Sequence, residues 1–313
     1  MSPVSRSPHA SRATTHEIQV TTPYRLDLTV SALRRLSTNV VDVLTPDGHY
    51  VRALAGAHGL VIARVRQVRP DALAATIEGD AGDHAGALVL VRRMLGVDRK
   101  LTHFDRAAAR MPWLRPLALR MRGVKPPRYP TLWEAFVNAI AFQQVSLHAA
   151  SAIIRRLITA LGQPLKREGA SLYTFPSAEQ VLSAEDDLLR ATGLSAGKRA
   201  TLRRAGEVLA SGTLDEAILE ALPSPEAAEL LRQIKGIGPW TATVILLRGL
   251  GRLDVFPMND TSVARNLALV AGAMPLDVGS ILETLGPQRG MLYYHLLLAR
   301  LEARGEVGGG AIS

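Results

Sequence analysis

Residues 224–265 read SPEAAELLRQIKGIGPWTATVILLRGLGRLDVFPMNDTSVAR, and their reading decides the fold. Ser224 can cap a helix, Pro225 suits its first turn and Glu226 suits its positive end. Leu230, Leu231 and Ile234 give that helix one apolar face. It stops at Lys235-Gly236-Ile237-Gly238. Pro239 starts a second helix, with Ala242, Ile245 and Leu246 at helical spacing and Gly249 and Gly251 beyond its end. Two helices joined by Gly-x-Gly make a helix-hairpin-helix. Such a turn brings backbone N–H groups and the positive end of a helix dipole to one surface, which suits a DNA phosphate without regard to sequence. A plain turn between packed helices would account equally well for Gly-x-Gly alone. The context favours the hairpin: 22 residues after Gly238 comes Asp260, preceded by the apolar run Val255-Phe256-Pro257-Met258 and followed by the helix-start residues Thr261 and Ser262.

At this point the stretch resembles the core of the helix-hairpin-helix base-excision DNA glycosylases, in particular the DNA-3-methyladenine glycosylase II group. The resemblance runs from about Tyr24 to about Ala303. It implies that Lys235, Gly236, Ile237, Gly238 and Thr241 form a DNA-binding hairpin. It also implies that Asp260 is the essential catalytic carboxylate, stabilising a cationic sugar and orienting a water. A helix cap is the bland alternative for Asp260. Bifunctional members carry a nucleophilic Lys two residues after the second hairpin glycine. Here that position is Trp240, and Lys235 precedes the turn, so the resemblance implies a monofunctional enzyme that leaves an abasic site. Branches with an iron–sulfur cluster need four cysteines, and this chain has none.

The same resemblance assigns base-pocket or wedge positions. Thr131 can cap a strong helix with Glu134 completing a capping box. That helix leads to Phe142-Gln143-Gln144-Val145-Ser146. Gln144 matches the side chain that fills the gap left by an extruded base, and Gln143 is its neighbour; an exposed helix end is the alternative. Gln288 matches a position at the start of the last long helix where some members place a pocket Trp. Trp240, Trp133, Tyr293 and Tyr294 are the aromatic candidates, with core packing the competing role for at least one tyrosine. His295 is read as a helix-packing histidine rather than a catalytic base.

The totals agree with a polyanionic partner. The 313 residues carry a net charge of +9, and 32 of the 37 basic residues are Arg. Hydrophobic residues make 47% and charged ones 21%, as in a globular protein. No cysteine means no disulfide and no thiolate chemistry. No apolar run is long enough to span a membrane, and the first residues are too polar for a secretory signal. No Walker or Rossmann loop, His–Glu metal motif or Ser–His–Asp pattern is present.

The organisation expected is α+β. Residues 1–20 form a disordered tail. Residues 21–100 form an N-terminal domain of antiparallel sheet and helices that gives packing support. Residues 101–305 form a mainly α-helical region with the hairpin at about 225–249, and 306–313 form a flexible tail. Within the N-terminal domain, Tyr24–Val30 reads as a half-buried strand by its alternation. Arg120–Tyr129 reads as a basic loop, either solvated or touching phosphate. Ser183–Ala191 reads as one capped helix. Lys198, Arg199, Arg203 and Arg204 read as a solvated or phosphate-facing helix side.

The function expected is hydrolysis of the N-glycosidic bond of alkylated, 3-methyladenine-type bases in duplex DNA, by a monomer. It needs no redox cofactor and no catalytic metal, although the hairpin backbone can hold a monovalent cation. The location expected is cytoplasmic, nucleoid-associated and of bacterial type. A non-catalytic DNA-binding protein and a glycosylase for oxidised or mismatched bases are the competing readings.

Overall fold

A computed structural model describes residues 12–167, 170–258 and 261–307. The N-terminal unit is built from β1 (Arg12–Gln19), α1 (Leu26–Arg34), β2 (Val43–Leu44), β3 (Tyr50–Ala55), β4 (Leu60–Arg69), β5 (Ala72–Gly79) and α2 (His84–Met94). Its five strands form an antiparallel sheet in the order β1-β5-β4-β3-β2. Val61, Ala63 and Val65 of β4 alternate inward with Leu73, Ala75 and Ile77 of β5.

The helical unit follows: α3 (Thr102–Ala109), α4 (Arg115–Arg120), α5 (Leu132–Ala141), α6 (Leu147–Leu161), a short hairpin of β6 (Pro164–Arg167) and β7 (Ala170–Tyr173), then α7 (Ala178–Ser183), α8 (Asp186–Ala191), α9 (Ala196–Ala210), α10 (Glu216–Ala221), α11 (Ser224–Arg232), α12 (Pro239–Gly249), α13 (Thr261–Ala271), α14 (Val278–Leu285) and α15 (Gly290–Glu302). The α5 helix is buried along its whole length and packs against α9 and α12.

The α+β class holds, with several local differences. Residues 12–19, expected in a disordered tail, pair with β5 along their whole length, and Ile18 and Val20 are buried. The Ser/Arg-rich composition hid an alternation of β-branched residues. Residues 1–11 and 308–313 lie outside the described residues, but Glu306 is fastened: its carboxylate accepts from the Ser37 N–H at 2.7 Å.

The expected Tyr24–Val30 strand is instead the start of helix α1 from Leu26 on. Inward positions run along nearly all of α1, so its apolar alternation carries no strand face. Its start is capped from afar, because the Gln67 side chain accepts from the Leu26 N–H at 3.0 Å and donates to the Tyr24 carbonyl at 3.0 Å.

Ser183 does not cap the next helix: it ends α7, and α8 begins at Asp186 without a side-chain cap. Ser224 does not cap α11; its hydroxyl instead accepts from Arg252 at 3.0 Å. Thr131 does cap α5, accepting from the Glu134 N–H at 3.2 Å. The Glu134 side chain does not complete the capping box. It is buried against Arg52 of β3, 2.5 Å from Nη2, while Arg52 Nη1 is 2.5 Å from Asp42. That ion cluster ties the sheet to the helical unit.

Candidate active-site cleft

The hairpin consists of α11, a turn over residues 233–238, and α12. Gly236 has φ 102°, and a Cβ there would sit 2.0 Å from the Thr201 hydroxyl of α9, so both backbone and packing require glycine. Gly238 differs. It has φ −90°, and a Cβ there would meet nothing within 4 Å. The fold does not need glycine at 238; an approaching partner would. The turn is fastened from behind by Arg204, whose Nη1 donates to the Lys235 carbonyl at 3.3 Å. Lys235 and Gly236 are exposed, Ile237 and Thr241 are buried, and Trp240 is half-buried.

In front of the hairpin lies an open cleft of about 990 Å³. Its walls come from the loop after α5, the start of α9, the hairpin, α13, α15 and the end of α1. Gln143, Gln144, Gly236, Gly238, Trp240, Thr241 and Tyr293 all line it. Gln143 Nε2 donates to the Gly236 carbonyl and to the Thr241 hydroxyl, each at 2.9 Å. Gln144 is exposed and has φ 55°, a left-handed conformation that costs a non-glycine residue about 1–3 kcal/mol and clusters at functional sites.

Other expected residues fall elsewhere. Gln288 is not in the cleft: its Oε1 accepts from the Phe104 N–H and its Nε2 donates to the Lys100 carbonyl, both at 2.8 Å, so it caps the start of α3. Tyr294 is core, its hydroxyl donating to the carbonyls of Pro127 and Leu247 at 3.0 and 3.2 Å. Trp133 is buried and donates to the Pro176 carbonyl. His295 is buried, hydrogen-bonds the Met291 carbonyl through Nδ1 at 2.9 Å, and is pushed down to about 4 by burial. Asp260 lies outside the described residues; Ser262 and Val263, which follow it closely in α13, line the cleft.

The basic segments are mostly structural. In the Arg120–Tyr129 stretch, Lys125 and Arg128 are buried on the carbonyls of Arg99 and Gly249, neither solvated nor reaching a phosphate. Arg199 is bidentate to Asp186, and Arg203 holds the carbonyls of Leu182 and Ala184. From that group only Lys198 lines the cleft, donating to the Ala141 carbonyl at 2.8 Å; burial lowers its pKa.

Sequence reasoning missed Arg35. It was placed in a support domain, yet it enters the cleft with Lys198, Arg265 and Arg300. Among the described residues, neither Arg35 nor Lys198 forms an ion pair. No sequence signal marks Arg35, because its exit from α1 is set by distant contacts. Among the described residues no helix is long and apolar enough to cross a membrane, and no group of three or more acidic, His or Cys side chains could hold a metal.

Residues 137–277, which run from α5 through the hairpin to the start of α14, match the family model of the HhH-GPD superfamily base excision DNA repair protein. The chain carries an HhH-GPD domain. The N-terminal sheet lies before the HhH-GPD match. Over 239 residues the chain is 34% identical to the "Probable bifunctional transcriptional activator/DNA repair enzyme AlkA" of Mycobacterium tuberculosis, covering 75% of this chain and 47% of that one. The chain thus spans about half the length of that relative. It is 24% identical over 252 residues to "DNA-3-methyladenine glycosylase 2" of Escherichia coli, covering 80% of this chain and 85% of that one. The whole fold, HhH-GPD part and sheet together, is similar to the solved 3-methyladenine DNA-glycosylase from Archaeoglobus fulgidus, with TM-score 0.76, 23% identity, and coverage of 92% and 99%.

Proposed function

We propose that this protein is a monofunctional DNA glycosylase that hydrolyses the N-glycosidic bond of alkylated, 3-methyladenine-type bases in duplex DNA. The observation that carries the reading is the hairpin at the mouth of the cleft, with the Cβ space of Gly238 open and Trp240 two residues beyond it. The names of the M. tuberculosis and E. coli relatives support it.

The hairpin receives a backbone phosphate on the first turn of α12, whose N–H groups the helix itself cannot pair. Gln144 enters the duplex, and the damaged nucleotide swings into the cleft at a cost of a few kcal/mol, least for a damaged pair. Trp240 and Tyr293 offer aromatic faces to an electron-poor base. Asp260 stabilises the oxocarbenium-like sugar and orients the water that adds to it. With Trp240 where a lyase would have its lysine, the product is an abasic site in an intact strand. The protein acts as a monomer on nucleoid DNA in the cytoplasm, without redox cofactor or catalytic metal. A monovalent cation on the hairpin backbone would serve the phosphate grip alone.

The test is base release from methylated duplex DNA by the wild type beside Asp260→Asn, with strand integrity followed before and after alkali. Methylpurine release by wild type alone, with strands cut only after alkali, is the expected result. DNA binding without release by either protein favours a non-catalytic hairpin protein. Nicking without alkali favours a lyase acting on oxidised or mismatched bases.

A further inference from the structure

Arg35 brings a fixed positive charge to the wall of the cleft without a carboxylate partner among the described residues. The residue is 4% exposed, and its guanidinium lies 3.7 Å from the Phe142 ring centroid. Its one hydrogen bond to a side chain is long, 3.5 Å from Nη2 to the Tyr293 hydroxyl. No carboxylate among the described residues pairs with it. Its backbone sits at φ 64°, ψ −76°, which L residues rarely adopt. The helix end just before it is tied to the hairpin. Arg248, fully buried on α12, donates Nη2 to the carbonyls of Ala32 and Leu33, each at 3.0 Å, and so holds the end of α1. A buried cation in a rarely adopted backbone conformation at the wall of a cleft is a poor device for stability and a good one for reading a ligand.

We propose that Arg35 is a specificity-determining residue: it donates to an acceptor on the extruded base and so promotes release of neutral purine lesions that bear an oxo or ring-nitrogen edge. The inference rests on the glycosylase reading above and names a substrate class within it.

The chemistry separates two kinds of leaving group. When the C1′–N bond breaks, its electron pair goes to the base, and a water oxygen bonds to C1′. A ring-alkylated cationic base leaves as a neutral molecule and needs no help from a donor. A neutral base leaves as an anion, which takes up the proton released by the water. A guanidinium beside it stabilises the charge developing in that transition state. The same guanidinium repels a base that is already cationic. Arg35 thus works for one class and against the other.

The experiment compares single-turnover release of hypoxanthine from a deoxyinosine duplex with release of 7-methylguanine from a methylated duplex. It uses the full chain as wild type, Arg35→Met and Arg35→Lys. Both lesions are read on each preparation, so a lower folded fraction cancels in the ratio. The ratio of hypoxanthine to 7-methylguanine release is expected to fall at least about tenfold in Arg35→Met and less in Arg35→Lys. An unchanged ratio in Arg35→Met overturns the proposal, as does a wild type that releases 7-methylguanine but no hypoxanthine. A wild type that releases 3-methyladenine from the methylated duplex but neither of these two bases also overturns the proposal, whereas one that releases none of the three overturns the glycosylase reading instead.

Discussion

Gln143 and Thr241 are joined across the cleft mouth by a 2.9 Å hydrogen bond from Nε2 to the threonine hydroxyl, and the same Nε2 reaches the Gly236 carbonyl. The loop that carries Gln144 is therefore fastened to the turn that carries Gly238. Phosphate grip and base extrusion become one rigid geometry rather than two. Gln143→Ala should cost roughly 1 kcal/mol in urea unfolding. It should slow base release by about tenfold through lost positioning, while affinity for undamaged duplex changes little. An equal loss in both would assign Gln143 to DNA contact instead.

The two hairpin glycines should behave differently. Gly236→Ala must leave φ 102° and push Thr201 aside, so it should lose roughly 1–3 kcal/mol of stability. Gly238→Ala meets no neighbour and should unfold within about 1 kcal/mol of wild type. Its duplex affinity should nevertheless fall by about tenfold, because the methyl occupies the space of the approaching phosphate. Thermal melts beside fluorescence anisotropy at fixed salt check both. Unchanged affinity in Gly238→Ala would remove the hairpin from the binding surface.

Arg52 holds two buried carboxylates, Asp42 and Glu134, 2.5 Å away on either side. Arg52→Met strands both, and the expected loss is about 3–5 kcal/mol. Adding Asp42→Asn and Glu134→Gln to that variant should restore part of it. Chemical denaturation of the single and triple variants decides the point, and equal stability of the two would show that the ion cluster contributes little.

His295 gives the protein an acid-sensitive element. Burial lowers its folded-state pKa to about 4, below the unfolded value near 6.5, so the folded protein keeps it neutral. The stability it contributes is complete above pH 6.5 and is lost as pH falls towards 4. The full loss is about 3 kcal/mol. Subtracting the pH–stability curve of His295→Leu from that of wild type isolates this group from other titrating residues. A flat difference between pH 6.5 and 4 would contradict the assignment.

The helical half was readable because its signals are local. Ser146 and Ser195 cap the helices they precede, accepting from the N–H groups of Ala149 and Lys198, and the α6 face of Ile153, Ile154, Leu157 and Ile158 is buried as its spacing requires. Three of the misreadings share one cause. Gln67, 41 residues away, caps α1; Glu134 leaves its own helix start for Arg52; Gln288 caps α3 instead of facing the cleft. Each polar side chain found a partner distant in sequence, which no window of neighbouring residues can show.

Local chemistry in the chain was enough for the hairpin and the α+β class, and the family resemblance pointed to Gln143, Gln144, Trp240 and Tyr293, which line the cleft. Caps, glycines and apolar spacing act over a few residues and leave their mark in order along the chain. The cleft's electrostatics came only with the three-dimensional packing. Most of the basic residues in the expected phosphate-facing groups are bound to the protein's own carbonyls and carboxylates, and Arg35 lines the cleft from an α1 end held by Arg248, 213 positions later. Which charges remain available to a ligand depends on which backbone groups the fold leaves short of partners, and those are known only once the chain has closed on itself.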